Sequence, residues 1–169
     1  MPKPDEPIET RGQDAPGQGF TGLDGAWPER VRREGKRVRT AFRVRYAETD
    51  QMGMAYYANY LVWFEVMRGD YMRAVGVPYT RLEAEGYRLP IVEARVRYIA
   101  PAGYDDPVEV VAWISRMGSR LITFEYRVEM QGKLLATGET THCPMGRDGR
   151  VRAFSRELLG ALEPMISGE

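Results

Sequence analysis

The chain has little of several things that would make its chemistry obvious. It has one cysteine, Cys143, and one histidine, His142, among 169 residues. A single thiol cannot close an internal disulfide or build a cysteine-based zinc site, and it fits a reducing compartment, so a cytoplasmic location is expected. The 24 basic residues balance the 24 acidic ones, which leaves no overall field to draw nucleic acid or an anionic membrane surface. No segment offers about 18 uninterrupted apolar residues, and the N-terminal stretch lacks the apolar core of a signal peptide, so no membrane partner is expected. There is no GxSxG elbow, no metal-ligand cluster and no phosphate-cradling glycine loop, and therefore no metal or nucleotide cofactor is expected.

What is present begins with a segment of unusual composition. Residues 1 to 28 hold five of the eleven prolines and five glycines, too little apolar surface to offset the entropy of ordering. Residues 1–36 are read as a disordered or loosely docked extension, in which Phe20, Leu23 and Trp27 are the side chains able to dock on a domain formed by residues 37–165.

Within that domain "VRTAFRVRY" places Phe42, Val44 and Tyr46 at a spacing of two, the signature of a strand. From about Ala58 the period changes: Tyr60, Phe64, Met67, Tyr71 and Val75 recur at helical spacing, and Gly76 with Pro78 ends the run. Leu61, Val62, Trp63 and Val66 widen the apolar stripe, so the helix is expected to be wrapped on several sides. Glu65 and Arg68, three apart, are expected to form an ordinary ion pair. Beyond residue 90 the pattern is one of alternating strands, with Gln131-Gly132 marking a tight hairpin and Ser155 capping a final helix. Strand, long helix and then several antiparallel strands make an α+β fold, a curved antiparallel sheet of about five or six strands around one central helix. One strand is apolar on both faces, Val111 and Trp113 against Val110, Ala112 and Ile114, which suggests a partner for the outer face.

The segment that carries chemistry is "YAETDQMGMAYYANYLVWFE", residues 46 to 65, where one carboxylate, Asp50, precedes a glycine and an aromatic helix start. It resembles the opening of the hotdog-fold acyl-CoA thioesterases of the 4-hydroxybenzoyl-CoA thioesterase class, and the order of elements over roughly residues 37 to 163 agrees. The resemblance implies hydrolysis of a thioester to a carboxylic acid and coenzyme A, which is part of the substrate and no separate cofactor. It places Asp50 on the catalytic carboxylate, Gly53 on the turn glycine and Tyr57 on the residue whose backbone N–H faces the thioester carbonyl. Where many relatives carry His, this chain has Tyr57, which leaves its side chain to line the acyl pocket. The resemblance also implies a homo-oligomer, a dimer or a dimer of dimers such as a homotetramer.

The chemistry has a physical rationale of its own. Thioester hydrolysis needs a negative group to activate water or attack the carbonyl, and donors where the oxyanion develops. The first turn of a helix supplies unpaired N–H groups and partial positive charge. Tyr56 and Met52 are the expected acyl contacts. Arg95 and Arg120 are the arginines assigned to the nucleotide end of coenzyme A, because phosphates need charge-assisted donors.

Two residues receive plainer roles. His142, alone in a strand, is read as a packed or hydrogen-bonded residue, which disfavours a hotdog dehydratase using a His and acid pair. Glu65 is given a structural role. The alternatives to an enzyme are a non-catalytic acyl-CoA or acyl-carrier binding module and a purely structural dimer in which Asp50 only caps a turn.

Overall fold

A computed structural model of the chain describes residues 30–167; of the extension read over residues 1–36, residues 1–29 lie outside the described residues. Strand β1 (Val31–Glu34) turns back through Gly35, at φ +63°, into β2 (Arg37–Arg43). The chain then runs into the long helix α1 (Asn59–Ala74), the short α2 (Tyr79–Ala84), strands β3 (Ile91–Tyr98), β4 (Pro107–Met117), β5 (Ile122–Met130) and β6 (Lys133–His142), and α3 (Arg156–Leu162). Residues 31–34, placed by composition in the extension, are thus a strand of the sheet.

All six strands form one sheet in the order β1-β2-β4-β5-β6-β3, with every neighbour antiparallel. The β5–β6 hairpin turns at Gln131 (φ +51°) and Gly132 (φ +79°), two left-handed residues that match the twist of the flanking strands. Ser155 caps α3 as expected, its hydroxyl accepting from the Leu158 N–H at 3.2 Å.

Helix α1 lies on one face of this sheet and buries Tyr60, Phe64, Met67 and Tyr71, four of the five positions that helical spacing selected; the fifth, Val75, is the C-cap and only partly buried. Phe64 stacks on Tyr126 of β5 with ring centroids 4.2 Å apart and an interplanar angle of 8°. The helix comes close because β6 carries Gly138 beneath it. A Cβ built there would clash with Cε2 and Cζ of the Phe64 ring.

Three expectations are corrected. Leu61, Val62 and Val66 are 40%, 43% and 38% exposed, because the sheet covers one face of α1 and nothing among the described residues covers these positions. Arg68 does not pair with Glu65. It is buried, and its guanidinium donates to the Tyr79 hydroxyl at 2.9 Å and the Tyr126 hydroxyl at 3.4 Å. The outer apolar positions of β4 need no second chain to be covered. Val111 lies between Arg39 and Arg127 across the strands, and the Arg37 guanidinium sits 4.6 Å above the Trp113 ring. Arginine stems shield apolar surface while their heads stay hydrated.

Candidate active site

The site is assembled by the segment between β2 and α1. After β2, Val44 is clamped by the loop that precedes β4: its N–H donates to the Asp106 carbonyl at 3.0 Å and its carbonyl accepts from the Asp105 N–H at 2.9 Å. A 3-10 turn over Tyr46–Glu48 follows. The chain then folds into a tight loop in which the Gly53 N–H donates to the Asp50 carbonyl at 3.0 Å and the Asp50 N–H to the Met54 carbonyl at 2.9 Å. Gly53 takes φ +74°, a left-handed conformation that any Cβ would strain. The loop is pinned to the β3–β4 connection, since the Ala55 N–H donates to the Ala102 carbonyl at 2.8 Å.

Glu48 organises the turn into the helix. Its carbonyl accepts from the Tyr56 N–H at 2.8 Å and from Asn59 Nδ2 at 2.7 Å. Its buried carboxylate accepts from the Arg45 N–H at 2.8 Å, from Arg45 Nη2 at 2.7 Å and from Trp63 Nε1 at 3.0 Å. Burial would raise the pKa of this carboxyl, but the donors from Arg45 and Trp63 outweigh it and hold it below the ordinary glutamate range. Glu48 is therefore a fixed, charged strut.

Downstream of that strut the Asn59 N–H donates to the Tyr56 carbonyl at 2.9 Å, closing a turn that delivers Tyr57 and Ala58 ahead of the helix. The Tyr57 carbonyl accepts from the Tyr98 hydroxyl at 2.9 Å. Its N–H has no hydrogen-bond partner among the described residues, and it stands one residue ahead of Ala58, the N-cap of α1.

Asp50, Met52, Tyr57, Tyr60, Tyr98 and Ile99 line one cavity of about 310 Å³. Asp50 is half-buried, and one carboxylate oxygen, Oδ1, accepts from the Met52 N–H at 2.8 Å. The walls are mostly rings: Tyr60 and Tyr98 meet edge to face at 5.1 Å, and Tyr56 tilts against Tyr57 at 4.4 Å. A hydrogen bond to the Tyr57 hydroxyl raises the Tyr56 pKa.

The structure therefore brings Asp50, Met52 and Tyr57 to one cavity, with Tyr56 packed against Tyr57 and Gly53 in the loop. It does not bring the two arginines there within one chain. Arg95 is exposed on the sheet face away from α1 and ion-paired with Glu93. Arg120 is exposed in the β4–β5 turn. That turn lies at the far end of β4 from the Asp50 loop, a strand of 11 residues or roughly 35 Å.

His142 is fully buried, with Nδ1 3.1 Å from the Leu89 carbonyl and Nε2 2.9 Å from Thr140 Oγ1. It is a packed, hydrogen-bonded residue, as its isolation in a strand suggested. Glu48, Asn59 and Tyr98 are the residues that sequence reasoning missed. An Asn beginning the otherwise apolar first turn of the long helix was the available signal for Asn59; Tyr98 is 41 residues from Tyr57, beyond any local pattern.

A curved antiparallel sheet packed on one long helix is the hotdog architecture, and comparisons with known proteins carry it to a family. Residues 44–162 match the sequence model of the thioesterase-like superfamily. The chain is 30% identical over 122 residues to the acyl-CoA thioesterase YbgC of Haemophilus influenzae, covering 70% of this chain and 89% of that protein. The crystal structure of a hypothetical protein from Thermus thermophilus superposes with a TM-score of 0.73 at 37% identity, covering 78% of this chain and 98% of that one. A DHNA-CoA thioesterase of Staphylococcus aureus gives a TM-score of 0.70 at 30% identity, covering 75% and 86%. The chain belongs to the thioesterase-like superfamily and is a hotdog-fold thioester hydrolase, of a family whose activity is acyl-CoA thioester hydrolysis.

Proposed function

We propose that the protein hydrolyses an acyl-CoA thioester in the cavity between the Asp50 loop and the start of α1. The observation that carries this reading is that a carboxylate and a main-chain N–H just ahead of α1 that is unpartnered among the described residues, those of Asp50 and Tyr57, belong to residues lining the same cavity. In the reaction, a water oxygen adds to the thioester carbonyl carbon while Asp50 takes its proton, or Asp50 adds directly and water hydrolyses the resulting anhydride. The Tyr57 N–H and the positive end of α1 hold the oxyanion. Collapse breaks the C–S bond, and the thiolate of coenzyme A leaves and takes a proton. No separate cofactor takes part.

The tyrosine-lined wall favours a compact or aromatic acyl group, with Tyr56 and Met52 at its edge. Arg95 and Arg120 reach the nucleotide of coenzyme A only if they come from another chain, and a homodimer built through the edge strand β3 is part of this reading.

Steady-state hydrolysis of short aliphatic, long aliphatic and aromatic acyl-CoA substrates by the wild type and by Asp50→Asn tests the proposal. The Asn variant, still folded, is expected to lose about 10² to 10⁴ in rate. The contact from Asp50 Oδ1 to the Met52 N–H is what a purely structural carboxylate would also make. An Asp50→Asn variant of undiminished activity, or a wild type that binds acyl-CoA without turnover, would favour the turn-capping or binding-module reading instead.

A further inference from the structure

Asp50 and three tyrosines, Tyr57, Tyr60 and Tyr98, line the same cavity, and three of these four side chains already have a hydrogen-bond partner. The Asp50 carboxylate accepts from the Met52 N–H, the Tyr98 hydroxyl donates to the Tyr57 carbonyl, and the Tyr57 hydroxyl is bonded to that of Tyr56. Tyr60 is different. It is only 3% exposed, yet its hydroxyl has no hydrogen-bond partner among the described residues. Among those residues Arg127 Nε is the side-chain atom both sealed from solvent and unpartnered, so the Tyr60 hydroxyl is not sealed, and the space that Tyr60 lines is the Asp50 cavity.

A buried tyrosine hydroxyl ordinarily finds a partner within the protein. The other side chains of this wall, Met52, Met54, Ala55, Ile99, Ala100 and Pro101, are apolar. With an acyl-CoA thioester as the occupant of the cavity, as proposed above, we infer that Tyr60 sets acyl specificity: its hydroxyl bonds an oxygen of the acyl group itself, and the preferred substrates carry a hydroxyl or oxo substituent beyond the thioester carbonyl.

The hydroxyl is held ready for this contact. The Tyr60 ring lies against the Trp63 ring at 4.5 Å and meets the Tyr98 ring edge to face at 5.1 Å, so its side chain has little further freedom to lose when a ligand binds. Burial raises its pKa, and the neighbouring Tyr98 adds to the rise. The phenol therefore keeps its proton at neutral pH and can donate as well as accept. Tyr60 is the second residue of α1 and follows Tyr57 by about one helical turn. A carbonyl held at the Tyr57 N–H thus leaves the Tyr60 hydroxyl to the body of the acyl group. Water can satisfy the hydroxyl while no substrate is bound. A hydrocarbon acyl group displaces that water and returns no hydrogen bond, whereas an oxygenated one replaces it. Because the apolar walls offer the stranded hydroxyl nothing else, the hydrocarbon group is the one rejected.

Matched substrates test the proposal: benzoyl-CoA against its monohydroxylated isomers, and butyryl-CoA against β-hydroxybutyryl-CoA and acetoacetyl-CoA. In at least one series the wild type is expected to favour an oxygenated member by about tenfold in kcat/KM. Tyr60→Phe, which keeps the ring between Trp63 and Tyr98, is expected to bring that ratio to about one. Tyr98→Phe, which removes the neighbouring hydroxyl, is expected to lower both members and keep the ratio. Calorimetry with non-hydrolysable thioether analogues reads the same preference in binding. A wild type that binds these analogues with the tenfold preference but turns over no substrate would sink the hydrolase reading and still support the role of Tyr60. Oxygenated and hydrocarbon acyl groups handled alike by the wild type in every series would overturn the proposal. So would a preference that survives Tyr60→Phe, a preference lost equally in Tyr98→Phe, or a loss in Tyr60→Phe that is the same for both members, as for a ring that only packs or a hydroxyl that protonates the departing thiolate.

Discussion

The main-chain carbonyl of Glu48 accepts a hydrogen bond from the side chain of Asn59 at 2.7 Å, across eleven residues that contain the whole Asp50 loop. One end of that bond is anchored by Arg45 and Trp63 through the Glu48 carboxylate. The other is the first residue of α1. The loop bearing the carboxylate and the turn bearing the Tyr57 N–H are thus tied at their bases, and neither can shift without the other. A geometry that must hold an oxyanion donor in place requires this kind of support.

Asn59→Ala removes the tie while leaving Asp50 and Tyr57 in the chain. We expect kcat for acyl-CoA hydrolysis to fall about tenfold, the equivalent of roughly 1.4 kcal/mol, with a smaller change in KM. A kcat equal to that of the wild type in steady-state kinetics would show that the bond is structural only.

Strand β3 is an edge of the sheet and leaves Ile91 49% and Val92 55% exposed. An apolar edge with unpaired backbone groups recruits another strand. Light scattering coupled to gel filtration is expected to give at least twice the 19.3 kDa chain mass. Replacing Ile91 and Val92 together by Lys is expected to lower it. A wild type of 19.3 kDa would rule out the homodimer.

Gly138→Ala puts a methyl group into collision with the edge of the Phe64 ring. Phe64 is stacked on Tyr126 and cannot move without disturbing that packing. Overpacking of this kind costs about 1 to 3 kcal/mol, and urea denaturation should show a lower midpoint at unchanged slope.

His142 yields a prediction about acid stability. Burial, reinforced by the nearby Arg68 charge and only weakly opposed by the Leu89 carbonyl, lowers its pKa from 6.5 to about 4. The unfolded chain therefore binds a proton that the folded chain refuses between pH 6.5 and about 4. Stability is full above that window and falls as the pH drops through it, by about 3 kcal/mol in total. The depressed carboxyl of Glu48 adds to the loss below the ordinary glutamate range. Arg68→Met should move the His142 pKa upward, as NMR titration of the imidazole would read. A pKa unchanged by this substitution would remove Arg68 as a cause.

Much of this molecule is legible locally. Alternation placed β3 to β6, helical spacing picked out Tyr60, Phe64, Met67 and Tyr71, and one carboxylate before a glycine and a helix marked the Asp50 loop. Charged residues were read less well. Arg68 was matched to Glu65 because the two lie on one helix, whereas the buried side chain turns to hydroxyls on α2 and β5. The apolar flank of α1 was read as wrapped, since periodicity says which residues are apolar and not how much of the molecule is there to cover them.

A resemblance carried by residues 46 to 65 implied the hotdog class, while the sequence by itself determined β2, the long helix, strands β3 to β6, the last helix and the carboxylate at the mouth of the long helix. These depend on residue types a few positions apart, whose backbone preferences and periodicities act before any tertiary contact forms. Only the tertiary structure decided that Glu48 and Asn59 brace the site, that Tyr98 holds Tyr57, that Gly138 admits Phe64, and that Arg95 and Arg120 stand away from Asp50 within one chain. Each of these relationships rests on strand register or on the seating of α1 against the sheet, and those are set by the packing of the whole core.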